Sequence, residues 1–314
     1  MSHDALEARY RRLLWAYPKR YRHERGAEMI GTLLEAAGPD QRRPTAREAT
    51  ILVLRGLQTR AGTHSAPAAG RGARGALRLA VLLLLAYAGA GSLAESGRVI
   101  PRMISQGVDY PSELIHPLVT VTCALALLAV AGGRYLLGLL ATLGALAGTL
   151  VVTYFSLVGV DVVTGERYYP AIISVRDFVA GESTIWPMPL AALLLLPLLI
   201  RPAPGSRRPA FWLLAVPAAV VLLPTDYDTT TGLQPWATVA VLAGALLWVA
   251  VDARATIAAG VLLLPVILAW LWLSQFGAWD QPGSDASLWF WTVLSGALAL
   301  LTAGTLRLRR QARV

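Results

Sequence analysis

Two carboxylates one residue apart, Asp226 and Asp228, stand in the run from Thr225 to Gly232 and come nearest to a cation-ligand set in this chain. An EF-hand loop needs further oxygen ligands at alternate positions and a closing Glu at its twelfth, which is missing here, so a solvated turn is expected. Four histidines occur without an HExxH pair, and His116, beside Pro117 at an expected helix end, reads as an interface residue rather than a general base. Neither a serine elbow, a GxGD aspartyl motif, an SxxK dyad nor a P-loop is present. Cys123 is the one cysteine, so an intramolecular disulfide and a cysteine metal cluster are both excluded. The expectation is a protein without catalytic residues, metal or cofactor.

The elements that would position any site are apolar. The chain has 314 residues, of which 55% are hydrophobic and 15% charged, more apolar than an average soluble domain. Uncharged runs approach the ~20 residues that cross a bilayer as a helix. The pattern predicts an all-α polytopic membrane protein with about eight spans, at 77–94, 117–131, 135–155, 188–200, 210–223, 236–251, 257–276 and 288–306. The fifth is the weakest by hydropathy, and charge decides for it. With eight spans and a cytoplasmic N-terminus, only Arg98, Arg102, Arg167 and Arg176 fall outside, against eleven Asp and Glu. Basic residues then gather in the cytoplasmic loops, as the positive-inside rule requires, and both termini are cytoplasmic. Trp186, Trp236, Trp279, Trp289 and Trp291 fall at outer span ends, where an amphipathic ring sits among headgroups. Arginine almost throughout, with Lys19 the single lysine, fits a GC-rich bacterial genome, so the expected location is a bacterial inner membrane. The first 75 residues are polar, so the first hydrophobic helix is expected to direct insertion.

Ionisable residues are missing from the expected span centres, which argues against a proton-coupled transporter. Arg78, at the inner end of the first span, is expected to snorkel to the headgroups. Pro197, Pro217 and Pro265 interrupt three spans, where a broken helix can expose backbone groups to a solute, although tolerated kinks are commoner. Gly144 and Gly148 form a GxxxG in the third span and, with Gly138, are expected to pack helices. The loop from Leu157 to Trp186 is the longest expected outside and carries Tyr168, Tyr169, Arg176, Asp177 and Glu182; plain connection is its favoured reading.

Residues 1–61 read as three short helices forming a cytoplasmic domain. Leu6, Tyr10, Leu13, Leu14 and Tyr17 make one apolar face, ended by Pro18. Ala27, Ile30, Leu33, Leu34 and Ala37 make a second, stopped by Gly38 and Pro39. The third opens on a capping box from Thr45 to Glu48 and is expected to turn Ile51, Leu54 and Leu57 inward. Residues 62–75, rich in Gly, Ala and Arg, read as a flexible linker to the transmembrane domain at 76–314.

The stretch Leu13-Leu14-Trp15-Ala16-Tyr17-Pro18-Lys19-Arg20-Tyr21-Arg22, continued by Glu24, Gly26, Glu28-Met29 and Leu33-Leu34, resembles the helical prefix that precedes the spans of some bacterial permeases. It is also similar to the HAAS-type modules of membrane proteins paired with PadR-family transcriptional regulators. The resemblance implies a cytosolic interaction module whose partner is a PadR-like regulatory protein or a membrane protein. Tyr17, Pro18, Tyr21, Arg22, Glu24 and Glu28 are the expected docking residues. Over residues 1–75 there are 14 Lys and Arg against 7 Asp and Glu. A helix-turn-helix needs a tighter turn than Gly38 to Pro44, so the charge is expected to serve topology and contact with membrane lipid, not nucleic acid. The expected role is regulatory or partner-docking, with a transporter or permease component as the alternative.

Overall fold

The computed structural model describes residues 2–38, 41–61, 69–106, 111–157, 159–160, 167–168, 186–203, 242–275 and 284–312. They are almost entirely helical, apart from short connections and an antiparallel pairing of Gly159–Val160 with Arg167–Tyr168. The expected fifth span, most of the long 157–186 loop, the Asp226–Asp228 pair and Pro217 lie outside them.

Three helices open the chain: α1 (Ser2–Leu13), α2 (Lys19–Glu35) and α3 (Ala46–Ala61). A single 3-10 turn, Leu14–Ala16, follows α1, and Tyr17 then turns extended (φ −82°, ψ 155°), as a residue before proline must. Pro18 starts α2 and loses nothing there, because the first helical amides have no partner in the helix. Leu6, Tyr10 and Leu52 form a small shared core, with Leu13, Met29, Leu33, Leu34 and Ala37 against it. The capping box forms as its spacing predicts. The Thr45 N–H donates to Glu48 Oε2 at 3.0 Å, and the Glu48 N–H donates to Thr45 Oγ1 at 3.2 Å. The same carboxylate oxygen accepts from the Tyr10 hydroxyl and from Gln41 Nε2, each at 3.0 Å. One side chain thus ties α1 to the α2–α3 loop and the head of α3.

Two inward assignments differ. Ile51 is 48% exposed and Leu52 takes its place in the core, because Gly56, four residues on, brings that face of α3 against Ala16 and Tyr17. A Cβ on Gly56 would lie 2.6 Å from Ala16 Cβ. On α2, Ala27 is exposed, and Met29 packs instead.

The apolar helices are α4 (Ala69–Gln106), α5 (Pro111–Ala131), α6 (Tyr135–Leu157), α7 (Pro187–Ile200), α8 (Ala253–Leu262), α9 (Leu264–Gln275) and α10 (Ser284–Ala312). Four contain windows long and apolar enough to cross a membrane: Gly72–Leu93, Leu114–Ala131, Tyr135–Val152 and Phe290–Arg310. At 1.5 Å per residue α7 measures about 21 Å, short of the ~30 Å hydrocarbon layer. The expected seventh span is broken at Leu263 into α8 and α9, two residues before Pro265, which cannot donate the helical hydrogen bond. Pro197 stays inside α7.

α4 is the centre. Leu79 to Leu85 are buried without interruption, the mark of a helix enclosed on every side. Leu82, Leu85 and their neighbours pack with α5, α6 and α7, while Leu79, Ala80 and Leu83 pack with α8. The helix starts at Ala69, so the second half of the expected 62–75 linker is helical. Arg74 Nη1 donates to the Pro202 carbonyl at 3.1 Å, and such tertiary fastening offsets the ~1 kcal/mol helix penalty of each glycine there.

α5 and α6 form a hairpin closed by a Schellman turn. The Arg134 N–H reaches the Ala129 carbonyl at 2.8 Å and the Gly133 N–H reaches Val130 at 3.1 Å. Gly133 has φ +77°, the left-handed conformation that glycine takes without a Cβ penalty. Val119, Cys123, Ala126 and Val130 make the buried stripe of α5, and Leu114, Leu118, Val121, Leu125 and Leu128 make an exposed one opposite. α6 exposes Leu136, Leu137, Leu140 and Leu143 in the same way. Water does not tolerate a continuous stripe of this size on a monomer, whereas hydrocarbon does; this face and the four long apolar windows together give a membrane protein.

The three glycines expected to pack helices differ in their surroundings. A Cβ on Gly138 would lie 2.6 Å from Val130 Cγ2, and one on Gly148 2.7 Å from Val119 Cγ2, so both sit against α5. Gly144 meets nothing within 4 Å. Gly144 and Gly148 therefore do not act as one motif, since only Gly148 shares the stripe of Ala145 and Val152. A Cβ on Gly304 of α10 would likewise meet Ile257 Cγ1 of α8, at 2.5 Å.

Candidate docking surface and its junction with the bundle

The expected docking residues divide between core and surface. Tyr17 is only 4% exposed. Its ring closes the α3 contact, 2.9 Å from the Cβ that Gly56 lacks, so it belongs to the core and not to the docking surface. Burial, chiefly, raises its hydroxyl above the usual range, with Tyr21 adding to the rise and Arg55 opposing it. Tyr21 stacks on Tyr17 with ring centroids 5.3 Å apart and planes 16° from parallel. Pro18 shapes the entry to α2 and is half-buried.

Arg22 lies on the inner edge of α2, in line with buried Gly26 and with Met29. Its guanidinium sits 5.2 Å from the centre of the Trp15 ring, a cation–π contact. Trp15 itself is 69% exposed. Its carbonyl and that of Tyr17 accept from Arg60 Nη2 of α3, the latter at 3.3 Å. Tyr21, Glu24 and Glu28 follow at helical spacing along the outer stripe of α2. Glu24 pairs with Arg20 at 2.8 Å, and that hydrogen bond holds its carboxyl below the usual range. Glu28 is exposed. The remaining surface thus carries the exposed Trp15 with Arg22 at one end, and Tyr21, the Arg20-paired Glu24 and Glu28 along α2.

These helices are fastened to the bundle at a defined point. Gln58 Nε2 of α3 donates to the Ala250 carbonyl at 2.8 Å, and Arg307 Nη2 of α10 donates to the same oxygen at 2.9 Å. Ala250 ends a short helical stretch at 242–250, after which Asp252 caps α8. Asp252 accepts from the Arg254 N–H at 3.0 Å and from Arg254 Nε at 3.1 Å. The Arg254 stem lies on α4, 3.3 Å from where a Gly75 Cβ would be.

Arg78 is buried, against the expectation of snorkelling. Its Nη2 donates to the Ala131 carbonyl at 2.6 Å, meeting an unpaired acceptor at the negative end of α5. Tyr135 Oη donates to the Ala203 carbonyl at 3.4 Å. The starts of α4, α6 and α8 and the ends of α5, α7 and α10 therefore meet at one end of the bundle.

No family model, curated protein or solved structure matches this chain. Any functional reading therefore stands on these residues. Among the described residues, His116 lies within α5 and no group of three His, Cys, Asp or Glu gathers that could hold a metal. Trp15 was findable in sequence, since it falls off the stripe of Leu6, Tyr10, Leu14 and Tyr17. Gln58 and Ala250 carry no such signal, because a side-chain amide reaching a carbonyl 192 residues away leaves no local pattern.

Proposed function

We propose that this chain is an eight-span, non-enzymatic protein of a bacterial inner membrane with both termini in the cytoplasm. Its first 61 residues form a docking domain for a cytosolic regulatory protein, and the bundle serves as anchor and sensor. The partner expected from the permease-prefix and HAAS-like resemblance is a PadR-like regulator. The observation that carries the reading is the shared Ala250 carbonyl. One atom joins the docking helices, through Gln58, to the last apolar helix, through Arg307. A partner seated on Trp15, Tyr21, Arg22, Glu24 and Glu28 would be mechanically linked to the helix ends.

Two further features support the topology. Apolar helix ends alternate in direction at the bundle end that carries Arg74, Arg78, Arg134, Arg201, Arg254 and Arg307. The start of α4 and the finish of α10 at that end accord with an even number of crossings. Affinity purification from native membranes tests the docking. Deleting residues 1–62 should remove a cytosolic protein from the copurifying set, and an unchanged set would end the proposal.

A second reading, transport, is favoured by the break at Leu263 within an apolar segment, since interrupted spans expose backbone groups that can hold a solute. It predicts solute-dependent thermal stability or flux in vesicles, and a broad screen finding neither would oppose it.

A further inference from the structure

We propose that the headgroup of an anionic phospholipid binds where α3 meets the bundle, on Arg254 and Arg307. The Gln58–Ala250–Arg307 contact brings α3 against the bundle end that carries Arg74, Arg78, Arg254 and Arg307. Residues 1–61 carry more Lys and Arg than Asp and Glu. At the facing bundle end, Asp252 is the one carboxylate among the described residues. Like charges brought together repel, so an anion between them would hold the junction closed.

Two arginines are oriented in advance for this. Asp252 fixes the Arg254 guanidinium, and the Ala250 carbonyl fixes that of Arg307. The planar fork of arginine matches phosphate oxygens in pairs. Depth points to lipid as the source. Arg74 and Arg78 lie at the start of the apolar window Gly72–Leu93, and Arg307 lies near the end of Phe290–Arg310, so these charges sit where hydrocarbon gives way to headgroups. Leu306, beside Arg307, is 55% exposed and offers an acyl chain an apolar wall. Basic clefts between spans on the cytoplasmic side suit anionic headgroups.

The inference rests on the membrane reading of these helices and not on a protein partner. Failure of the copurification test would leave it standing, and its own failure would leave partner docking standing. The test uses the full chain in neutral detergent, titrated with phosphatidylglycerol, phosphatidylcholine or inorganic phosphate. Thermal midpoint and native mass spectrometry of retained lipid are the readouts. Phosphatidylglycerol should be retained and should raise the midpoint, while the other two should do neither. Arg254→Gln and Arg307→Gln should each weaken retention roughly fivefold, and Arg307→Lys should keep most of it. The paired Arg309→Gln, Arg310→Gln variant, exposed beyond the junction, should match the parent and tests for generic charge. Equal stabilisation by phosphatidylcholine or phosphate, or equal loss in the 309/310 variant, would overturn the assignment. Should Arg254→Gln not fold, the two Arg307 variants decide.

Discussion

A single missing methyl group at position 56 decides how the three N-terminal helices close. Alanine is the better helix former by ~1 kcal/mol, so a Gly56→Ala substitution would stabilise an isolated α3. In the folded chain the added Cβ meets Ala16 Cβ at 2.6 Å and the Ala16 carbonyl carbon at 2.8 Å. Backbone cannot rotate away as a side-chain tip can, and overpacking of this kind costs about 1–3 kcal/mol. The clash wins, so Gly56→Ala is expected to lower stability and speed proteolysis of the N-terminal helices, as limited trypsin digestion would read. Glu48 gives a pH signature. Hydrogen bonding from the Thr45 amide, with help from Tyr10 and Gln41, lowers its carboxyl below the ordinary 4.5 in the fold. A lowered folded value means that the stabilisation is fully present above about pH 4.5 and is lost as pH falls through the folded value. Glu48→Gln should therefore remove this residue's share of the acid-side loss and flatten the melting-point profile below pH 4.5.

At the scale of elements, close approaches separate two glycines that sequence treats alike. Gly148→Leu must displace Val119 and is expected to lower the thermal midpoint, with a cost on the order of 1–3 kcal/mol. Gly144→Leu points into open space and should fall within about 0.5 kcal/mol of the parent. Arg78→Met keeps length and loses the donor to Ala131; the expected cost is about 1.5–3 kcal/mol, as for hydrogen bonds from charged groups. Differential scanning in detergent distinguishes the three. Helix existence and ends were readable where local chemistry sets them. Proline and the Thr45–Glu48 box bound α2 and α3 within a few residues of the expected positions, whereas α5 starts at Pro111, with the expected first residue Pro117 inside the helix. What escaped was set by tertiary contact. Helicity at 69–75 depends on Arg74 reaching Pro202, the inward face of α3 depends on Gly56, and the buried cap made by Arg78 depends on the end of α5 lying beside it. Tyr17 lies in the core for the same reason, since an aromatic ring beside basic residues looks alike in a core or on a surface until its neighbour is known.

For the whole molecule, α5, α6, α7 and α8 enclose the centre of α4, while α5 and α6 turn a stripe of exposed leucines away from it. Charge adds direction to this arrangement, because the arginines gather where the starts of α4, α6 and α8 meet the ends of α5, α7 and α10. Docking and lipid binding both require that end to be cytoplasmic. Single cysteines in a Cys123→Ala background read this directly with a membrane-impermeant maleimide. Ile104, 82% exposed near the far end of α4, and Ala312, at the end of α10, are the positions to use. In intact spheroplasts Ile104→Cys should react at once and Ala312→Cys only after lysis. Labelling of Ala312→Cys before lysis, with Ile104→Cys protected, would contradict the account.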